Sequence, residues 1–499
     1  MVDPPKQLSP PDARILWLLG ALLVLPAIYF AARYPLFGNA DDLADIGQLA
    51  AYGIPELIGY LGGLVALFAG YAGAIHVLRG RHLAEVRRPV LWTSAVLLLG
   101  FGVLYPVNAI DLFIYAVRSH LLTEYRLNPN AVEPAGYWDI DPYTQFASRQ
   151  WADTVSPYGP LWNMLASPAT FFDGDRIVVA LLIFKLVAIG SALATAWLIH
   201  DLVRVERPGD AMAAAIVYLW NPLLLWEGIG NGHNDVVVML PVIAAVWCWR
   251  RGHDRWVIPL LVASALTKYV TALLLPFALV VLWQRYRGRP ARERWRLLIA
   301  SVGGSLLVTY LALYPFFDLL ALRDSAERQS GIFLASLGAA VFHLATLFSW
   351  SFDAARWVQI VGSVLLATSV LVLLVRLARG RLRLERALFE AMFALLLVAT
   401  WNFRPWYIIW LVALVAVLPM GWPLWRTMAW GAGALLSYAH YIWVREWWQW
   451  DRTVFFLTGI AIAFLPVLAV TLAETMSPVL SRRGAHQMVG PMDAMPDGR

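Results

Sequence analysis

The sequence predicts an all-α fold: a polytopic transmembrane helical bundle of about 12 spans plus one hairpin of broken helices. Two observations lead to this prediction. Hydrophobic residues make up 60% of the 499 residues and charged residues only 14%, whereas about a quarter of a soluble protein is charged. Apolar runs of roughly 17–25 residues also recur along the chain, which is the length that a helix needs to cross a bilayer. Because period-2 alternation is absent, these runs favour helices over a membrane barrel.

The positive charge lies mainly in arginine clusters between the apolar runs. Lysine occurs only at Lys6, Lys185 and Lys268, so arginine supplies nearly all of the cationic charge behind the formal +6. Clusters lie at residues 79–88, 250–255, 285–296, 376–386 and 482–483. Short basic loops between spans mark the cytoplasmic side of a membrane. We therefore expect cytoplasmic termini and no nucleic-acid partner. The single cysteine, Cys248, excludes an intrachain disulfide.

These clusters set the limits of the predicted spans. The spans lie near residues 15–32, 56–78, 90–107, 177–199, 211–228, 234–250, 297–315, 355–376, 387–402, 405–420, 428–445 and 453–473. Residues 256–284 are also apolar, but arginines flank them on both sides. We predict two half-length helices that meet near Lys268, because such a hairpin keeps both flanks in the cytoplasm. One long span is the alternative.

The spans divide the chain into three parts. Residues 1–80 hold two additional N-terminal spans, residues 81–480 form the main transmembrane domain, and residues 481–499 are expected to be a flexible cytoplasmic tail. Residues 108–176 form the longest stretch without a span, and they are rich in Asp, Tyr, Trp, Asn and Pro. This stretch is the predicted outer loop, which faces away from the cytoplasm.

Asp111 opens a predicted helix at the start of the outer loop. Asp111, Tyr115 and Arg118 share one helical face, and the opposite face is apolar. We expect this helix to lie along the membrane with its polar face turned to a cavity. A carboxylate in that position can act as a general base. A helix cap or an ion pair with Arg118 is the alternative role for Asp111.

Asp139 and Asp141 form an Asp-x-Asp pair further along the loop. Such pairs bind a divalent metal in many sugar-nucleotide transferases, and two carboxylates in one turn can share a cation. Asp141 precedes a proline, so an ordinary turn explains the pattern equally well. The pair is a low-ranking metal candidate.

Two rigid turns carry further polar groups. Tyr158-Gly-Pro160 presents an aromatic face suited to a sugar ring, or else anchors the loop at the membrane interface. The segment Glu227 to Asp235 includes His233 and Asn234 and lies between two spans almost without a loop. Polar groups at membrane depth are costly unless they line a wet cavity. The segment is therefore a candidate site, with a tight glycine-rich turn as the alternative.

Two cations lie apart from the arginine clusters. Lys268 is isolated within an apolar stretch, where it either snorkels to a head group or binds a phosphate. Arg404 precedes Pro405-Trp406-Tyr407 on the predicted outer side. It can bind an anionic phosphate or pair with a carboxylate of the loop.

In this order, the motifs resemble those of the GT-C superfamily of membrane glycosyltransferases, and most of all the bacterial polyprenyl-phosphate-mannose-dependent alpha-mannosyltransferases. The shared motifs are the Asp111 segment, Tyr158-Gly-Pro160, Gly232-His-Asn-Asp235, Lys268-Tyr269 and Pro405-Trp406-Tyr407. The resemblance covers most of the chain from about residue 90. Two features depart from it. This chain has Asn128-Pro129-Asn130 where the family often has Asn-Pro-Tyr, and its first two spans are additional.

The resemblance implies an inverting hexosyltransferase in the bacterial inner membrane. Its donor would be a polyprenyl-phosphate sugar, with mannose the expected hexose, and its acceptor a lipid-linked or cell-envelope glycan at the outer face. Asp111 matches the family's catalytic base. The expected substrate-binding residues are Tyr115, Arg118, Tyr158, Glu227, His233, Asn234, Asp235, Lys268, Arg404 and Trp406. No cofactor is expected to be required, although a divalent cation is the alternative.

A transporter or flippase for a lipid-linked or polar solute is the alternative function. Transporters place ionisable groups near the midplane of the membrane, between related halves. In this sequence most of the candidate residues lie at one rim of the predicted bundle, which favours an enzyme.

Overall fold

The computed structural model describes residues 10–40, 43–80, 83–314 and 335–487, together with residues 316, 318, 320, 321 and 323. The described residues form an all-α bundle, which confirms the predicted fold class. Its α-helices are α1 (Pro10–Arg33), α2 (Ile46–Leu49), α3 (Ile54–Leu78), α4 (Leu83–Gly102), α5 (Asp111–Tyr125), α6 (Arg149–Ala152), α7 (Pro160–Ala166), α8 (Pro168–Phe171), α9 (Ile177–Glu206), α10 (Ala211–Leu219) and α11 (Asp235–Arg251).

The second half of the chain continues in the same way. Its α-helices are α12 (Val257–Thr267), α13 (Leu275–Tyr286), α14 (Ala291–Leu313), α15 (Leu337–Leu347), α16 (Ala354–Ala378), α17 (Leu384–Val398), α18 (Ile408–Ala416), α19 (Trp422–Ala439), α20 (Arg445–Trp448) and α21 (Arg452–Gln487). Residues 481–487 of the predicted tail thus belong to α21. The rest of that tail, residues 488–499, lies outside the described residues.

The long apolar helices make the chain a multi-pass membrane protein. Seven helices of the described residues are long and apolar enough to cross a bilayer, and an eighth is added if the bent pair Pro208–Leu219 and Leu224–Gly230 counts as one span. The sequence pattern predicts more full spans than this. The difference lies in shorter helices such as α18, whose nine residues rise only about 14 Å. Every residue of α18 is buried, so this helix packs inside the protein.

The arginine clusters gather at one end of the bundle. Arg250, at the end of α11, forms ion pairs with Glu206 at the end of α9 and with Glu385 at the start of α17. Arg386 pairs with Glu474 of α21 at 3.5 Å. These contacts join four helices at this end, which we call the arginine end. The shared location agrees with the predicted grouping of the basic loops on one side.

The predicted reversal of the chain within residues 256–284 is present, but the prediction of two half-length arms is wrong, because Tyr269–Tyr286 is long and apolar enough to cross a bilayer. Arg285, near the end of α13, donates to the backbone oxygen of Trp249 at 3.0 Å and pairs with Asp254, just before α12. Both ends of the segment therefore lie at the arginine end. The chain reverses at Lys268, where an extended residue separates α12 from the 3-10 helix Tyr269–Leu274. The two arms are unequal in length, because the 3-10 helix continues directly into α13.

The outer loop packs at the opposite end of the bundle. Helix α5 was expected to lie along the membrane with its apolar face on lipid. Instead residues 111–122 are all buried. Phe113, on the expected lipid face, packs between Tyr105 and Phe146 with ring centroids 5.9 and 6.1 Å away. The helix is covered on both faces because the rest of the loop folds over it.

Candidate active site

Asp111 lies at the N-terminus of α5 and faces a buried histidine from a different part of the chain. Its Oδ2 is 3.5 Å from Nε2 of His233. The other ring nitrogen of His233, Nδ1, lies 3.2 Å from Oε2 of Glu227 and 3.0 Å from the Glu227 backbone oxygen. A single imidazole thus links two carboxylates. Asp111 is 5% exposed and His233 is fully buried.

The turn that carries His233 follows the bent pair of helices and precedes α11. Residues Leu224–Gly230 form a π-helical segment, and α11 begins at Asp235. Gly232, between them, has a φ of +71°, and a Cβ there would lie 2.7 Å from the side chain of Leu112. The backbone conformation therefore favours glycine, and α5 approaches the turn closely. This contact brings His233 next to Asp111.

A lysine of an apolar span supports the same turn. Nζ of Lys185, in α9, donates to the backbone oxygens of Ile229 and Gly230, and Lys185 is 1% exposed. These carbonyls lie at the end of the π-helical segment, where regular helical bonds are lost. Lys185 was missed at the sequence level. Its isolated positive charge in a predicted span was the available signal.

A second ion pair lies beside the first. Nζ of Lys268, at the tip of the hairpin, donates to Oδ1 of Asp235 at 2.7 Å, and Nε1 of Trp410 donates to the same oxygen at 2.6 Å. The lysine ammonium also lies over the rings of Tyr158 and Tyr407, 5.7 and 4.8 Å from their centroids. The location of Trp410 on a wholly apolar helix gave no sign of this role.

The Tyr158 turn packs against the tip of the hairpin. A Cβ on Gly159 would lie 2.0 Å from the backbone oxygen of Leu266, so only glycine fits there. Asn130 fixes the turn from the other side, because its Nδ2 donates to the backbone oxygens of Ser156 and Tyr158 at 2.9 Å. The Asn-Pro-Asn departure from the family pattern therefore supplies an amide that holds the Tyr158 turn.

Arg404 and Trp406 complete this group of residues. The Trp406 ring stacks on His233 with 3.8 Å between centroids. Nη2 of Arg404 is buried and has no hydrogen-bond partner among the described residues. Both side-chain atoms of Asn234 and Oδ2 of Asp235 are also buried without partners there. Buried polar atoms normally have a partner, and several without one lie together in this group of residues.

The charges around Asp111 determine its protonation. Burial raises the pKa of Asp111, but the contact with His233 and the nearby charges of Arg404 and Lys268 outweigh this effect, so the pKa lies below its ordinary value. Burial lowers the pKa of His233, which lies in the turn outside the helices. Its contacts with Asp111 and Glu227 outweigh burial and raise the pKa to about 9. At neutral pH the pair is therefore a carboxylate facing an imidazolium.

Tyr115 and Arg118 lie close to Asp111 on the same helix, as predicted. The Tyr115 hydroxyl donates to that of Tyr158 at 3.1 Å. Arg118 does not pair with Asp111. Its Nη2 donates to the backbone oxygens of Thr154 and Val155 at 2.9 and 3.2 Å. Arg118 therefore holds the outer loop onto α5, and the carboxylate remains with His233.

A model of the N-terminal domain of alpha-(1->6)-mannopyranosyltransferases matches residues 14–285, which is more than half of the chain. The chain belongs to this family. The match confirms the resemblance found in the sequence. It includes Asp111, His233 and Lys268, whereas Arg404 and Trp406 lie beyond its end. It also covers the two N-terminal spans, since it begins at Arg14, where the first of them begins.

Curated relatives carry the same family name. Alpha-(1->6)-mannopyranosyltransferase A of Mycobacterium tuberculosis is 26% identical over 343 residues, which are 66% of this chain and 64% of the relative. A probable alpha-(1->6)-mannopyranosyltransferase of Mycolicibacterium smegmatis is 26% identical over 52% of this chain and 44% of its own length. Alpha-(1->6)-mannopyranosyltransferase A of Corynebacterium glutamicum is 25% identical over 31% and 34%. The aligned part is less than two thirds of each relative's length.

The Asp-x-Asp pair lies apart from the family motifs, in the outer loop. Asp141 is 2% exposed, its Oδ2 lies 2.7 Å from Nδ1 of His120, and its Oδ1 accepts from the Tyr143 backbone at 2.8 Å. Asp139 is exposed. The two carboxylates therefore face different surroundings and do not converge. Among the described residues there is no group of three or more His, Cys, Asp or Glu side chains that could hold a metal ion.

Proposed function

We propose that this chain is a membrane glycosyltransferase. It moves a hexose, mannose, from a polyprenyl-phosphate carrier to a lipid-linked or cell-envelope glycan, with inversion at the anomeric carbon. The observation that carries the proposal is the Asp111 carboxylate, which faces His233 in a buried site that also contains Lys268 and Arg404. A base for the acceptor and cations for a phosphate leaving group are the two requirements of this reaction.

Asp111 acts as the general base in this reaction. Its carboxylate takes the proton from an acceptor hydroxyl as that oxygen forms a bond to the anomeric carbon of the donor. The bond from that carbon to the carrier phosphate breaks on the opposite face of the sugar, and its electron pair leaves with the phosphate. His233 fixes the orientation of Asp111 and keeps it ionised at neutral pH.

Arg404 and Lys268 differ in how free their positive charges are to bind the leaving phosphate. Nη2 of Arg404 has no partner among the described residues, so it can bind a phosphate oxygen without losing a contact. Lys268 is already paired with Asp235, whose Oδ2 remains open. We assign the main phosphate contact to Arg404. Lys268 contributes positive charge from the side of the Tyr158 turn.

A phosphate that departs on a lipid is already a reasonable leaving group, so the proposal requires no metal. The alternative is a divalent cation at Asp139 and Asp141. Transfer assays with and without a chelator distinguish the two. Loss of transfer with a chelator, together with inactive Asp139→Asn and Asp141→Asn variants, would move the catalytic centre to that pair.

The decisive experiment is transfer by the purified wild-type chain from a radiolabelled polyprenyl-phosphate mannose to a mannose-containing acceptor glycan. We expect a product whose new linkage has the anomeric configuration opposite to that of the donor, which nuclear magnetic resonance resolves. No transfer, combined with movement of the labelled lipid across vesicle membranes, would support the transporter alternative instead.

The proposal also places the Asp111 end of the bundle outside the cytoplasm, in the inner membrane of a bacterium with both termini cytoplasmic. Ala131, in the outer loop, and Ala291, at the arginine end, are both exposed. With Cys248 replaced by Ala, cysteines at these two positions should react with an impermeant reagent from opposite sides. Reaction of both from the same side would contradict this orientation.

A further inference from the structure

A cavity of about 320 Å³ opens at the arginine end of the bundle. Its walls come from the ends of α9, α11 and α18, from the start of α17 and from the turn that precedes it. Five arginines line it: Arg207, Arg250, Arg381, Arg383 and Arg386. The acidic residues in its walls are Glu206 and Glu385. Asp210 pairs with Arg207, and Glu390 and Glu474 pair with Arg386, so among the lining arginines of the described residues Arg381 is left without a carboxylate partner. Leucine, valine and proline side chains form the rest of the lining.

Three of the arginines are committed to contacts between helices. Arg386 pairs with Glu390 at 2.6 Å and with Glu474 at 3.5 Å. Arg250 lies between Glu206 and Glu385. Arg207 donates to the backbone oxygens of Val417 and Leu418, at 2.9 and 3.2 Å, just beyond α18. These contacts bind the free carbonyls at the end of that helix. Arg207 and Arg250 therefore form a fixed cationic floor.

Arg381 and Arg383, which lie just before α17, have fewer contacts within the protein. Arg381 is exposed, and its guanidinium has no partner among the described residues. Arg383 donates to Glu206 at 2.7 and 2.8 Å, but Glu206 is also paired with Arg250. Arg383 can therefore turn to a ligand without leaving Glu206 unpaired. One guanidinium group can donate two parallel hydrogen bonds to two oxygens of the same phosphate. This bidentate contact makes arginine better suited than lysine to bind a phosphate.

This cavity is separate from the Asp111 site. Asp235, at the start of α11, belongs to that site, and Arg250, near the end of α11, lines the cavity. The helix between them rises about 22 Å. A ligand in the cavity would thus lie near the opposite membrane surface from the reacting groups.

We propose that this cavity is a binding site for the phosphate of an anionic ligand, with Arg381 and Arg383 as its main contacts. The shared chemistry is a phosphate ester on a small glycerol-like or apolar body, since the volume lies in the range of ligand pockets and part of the wall is apolar. The phosphate comes either from the head group of a membrane lipid or from a soluble phosphate ester.

Equilibrium binding to the purified chain in a zwitterionic detergent tests this proposal. The two probes are radiolabelled dioctanoyl phosphatidylglycerol and radiolabelled glycerol 3-phosphate. We expect saturable binding to the wild type and at least about tenfold weaker binding to the Arg381→Gln/Arg383→Gln variant, because two charge-assisted contacts are lost. Equal binding of both probes would assign the site to soluble phosphate esters. Binding of the lipid alone would assign it to a head group.

Arg87→Gln/Arg88→Gln is the matched control. These two arginines are exposed near the start of α4, outside the cavity, and their loss changes the net charge equally. This control should bind as the wild type does. Arg381→Lys/Arg383→Lys keeps the charge and should retain part of the affinity. The proposal is overturned if neither probe binds saturably. It is also overturned if Arg381→Gln/Arg383→Gln and Arg87→Gln/Arg88→Gln lose affinity to the same extent.

Discussion

The two ends of the bundle carry charge in opposite ways. Around Asp111 the ionisable side chains Glu227, His233 and Asp235 are buried. Arg404, Asn234 and Asp235 each keep a buried polar atom without a partner among the described residues. At the arginine end most of the charged groups are partly exposed, and the carboxylates Glu206 and Glu390 each pair with two arginines.

The difference shows how burial and pairing together separate structural charge from functional charge. Ion pairs near a surface remain partly hydrated and contribute little to the free energy of folding. A buried polar atom without a partner costs free energy, and that cost persists only where a ligand or a strained site explains it. This difference supports the proposal that the reaction takes place at the Asp111 end. At the arginine end the ion pairs join helices, and the proposed anion site relies on Arg381 and Arg383.

The largest effect is expected from breaking the buried pair between Lys268 and Asp235. Lys268→Gln leaves the Asp235 carboxylate buried with only Trp410, which should reduce the free energy of unfolding by about 3–5 kcal/mol. The double variant Lys268→Gln/Asp235→Asn should recover most of that stability. Thermal or denaturant unfolding of the purified variants measures both changes.

The double variant also tests the catalytic contribution of Lys268. If Lys268 supplies charge to the donor phosphate, the double variant should be stable and still use the donor poorly. Normal donor kinetics in the double variant would show that Lys268 serves only to neutralise Asp235.

A smaller effect, mainly on donor use, is expected for Arg404. Arg404→Gln should lower kcat/KM for the polyprenyl-phosphate donor about 10- to 100-fold, because a charge-assisted contact to phosphate is lost. Stability should be nearly unchanged, since Nη2 of Arg404 has no protein partner to lose among the described residues. Arg452→Gln, an exposed arginine at the same end, is the control and should keep wild-type kinetics. Equal kinetics in the two variants would exclude Arg404 from phosphate binding.

The pH dependence of transfer is expected to reflect the Asp111–His233 pair. Transfer should fall in acid only as Asp111 is protonated, below the ordinary pKa of a carboxyl group, because that pKa is lowered. The pKa of His233 is raised from 6.5 to about 9. Its stabilising contribution is therefore complete below pH 6.5 and is lost as the pH rises through about 9. Transfer should decline over the same alkaline range.

Glu227→Gln sharpens the pH experiment. It removes one of the two carboxylates that raise the pKa of His233. In the plot of transfer rate against pH, the decline on the alkaline side should therefore move to lower pH, while the decline on the acid side stays in place. An unchanged decline on the alkaline side in a well-folded variant would show that His233 does not control it.

The sequence predicted much of this arrangement because membrane folding follows simple rules of length and charge. The apolar runs predicted the long helices, and the arginines on both flanks of residues 256–284 predicted the hairpin. The pattern could not distinguish lipid contact from protein contact. For that reason α5 was assigned to the membrane surface, although Phe113 packs inside the loop. For the same reason the wholly buried α18 was counted as a full span.

The sequence predicted individual residues of the candidate site but not the contacts between them. The sequence singled out Asp111, His233 and Lys268, but it offered Arg118 as the partner of Asp111. The partner is His233, more than a hundred residues away, because Gly232 lets the bent span approach α5. The roles of Lys185 and Trp410 depend on contacts between distant helices, which one sequence cannot reveal.

The most direct test of the central claim is the Asp111→Asn variant, measured for donor binding and for turnover in the same preparation. The amide keeps the shape of the side chain and removes the base. The variant should bind the polyprenyl-phosphate donor normally and lose about 10²–10⁴-fold in turnover. Asp139→Asn, which changes an exposed carboxylate of the same loop, should transfer at the wild-type rate. Near-normal turnover by Asp111→Asn would contradict the assignment of Asp111 as the catalytic base.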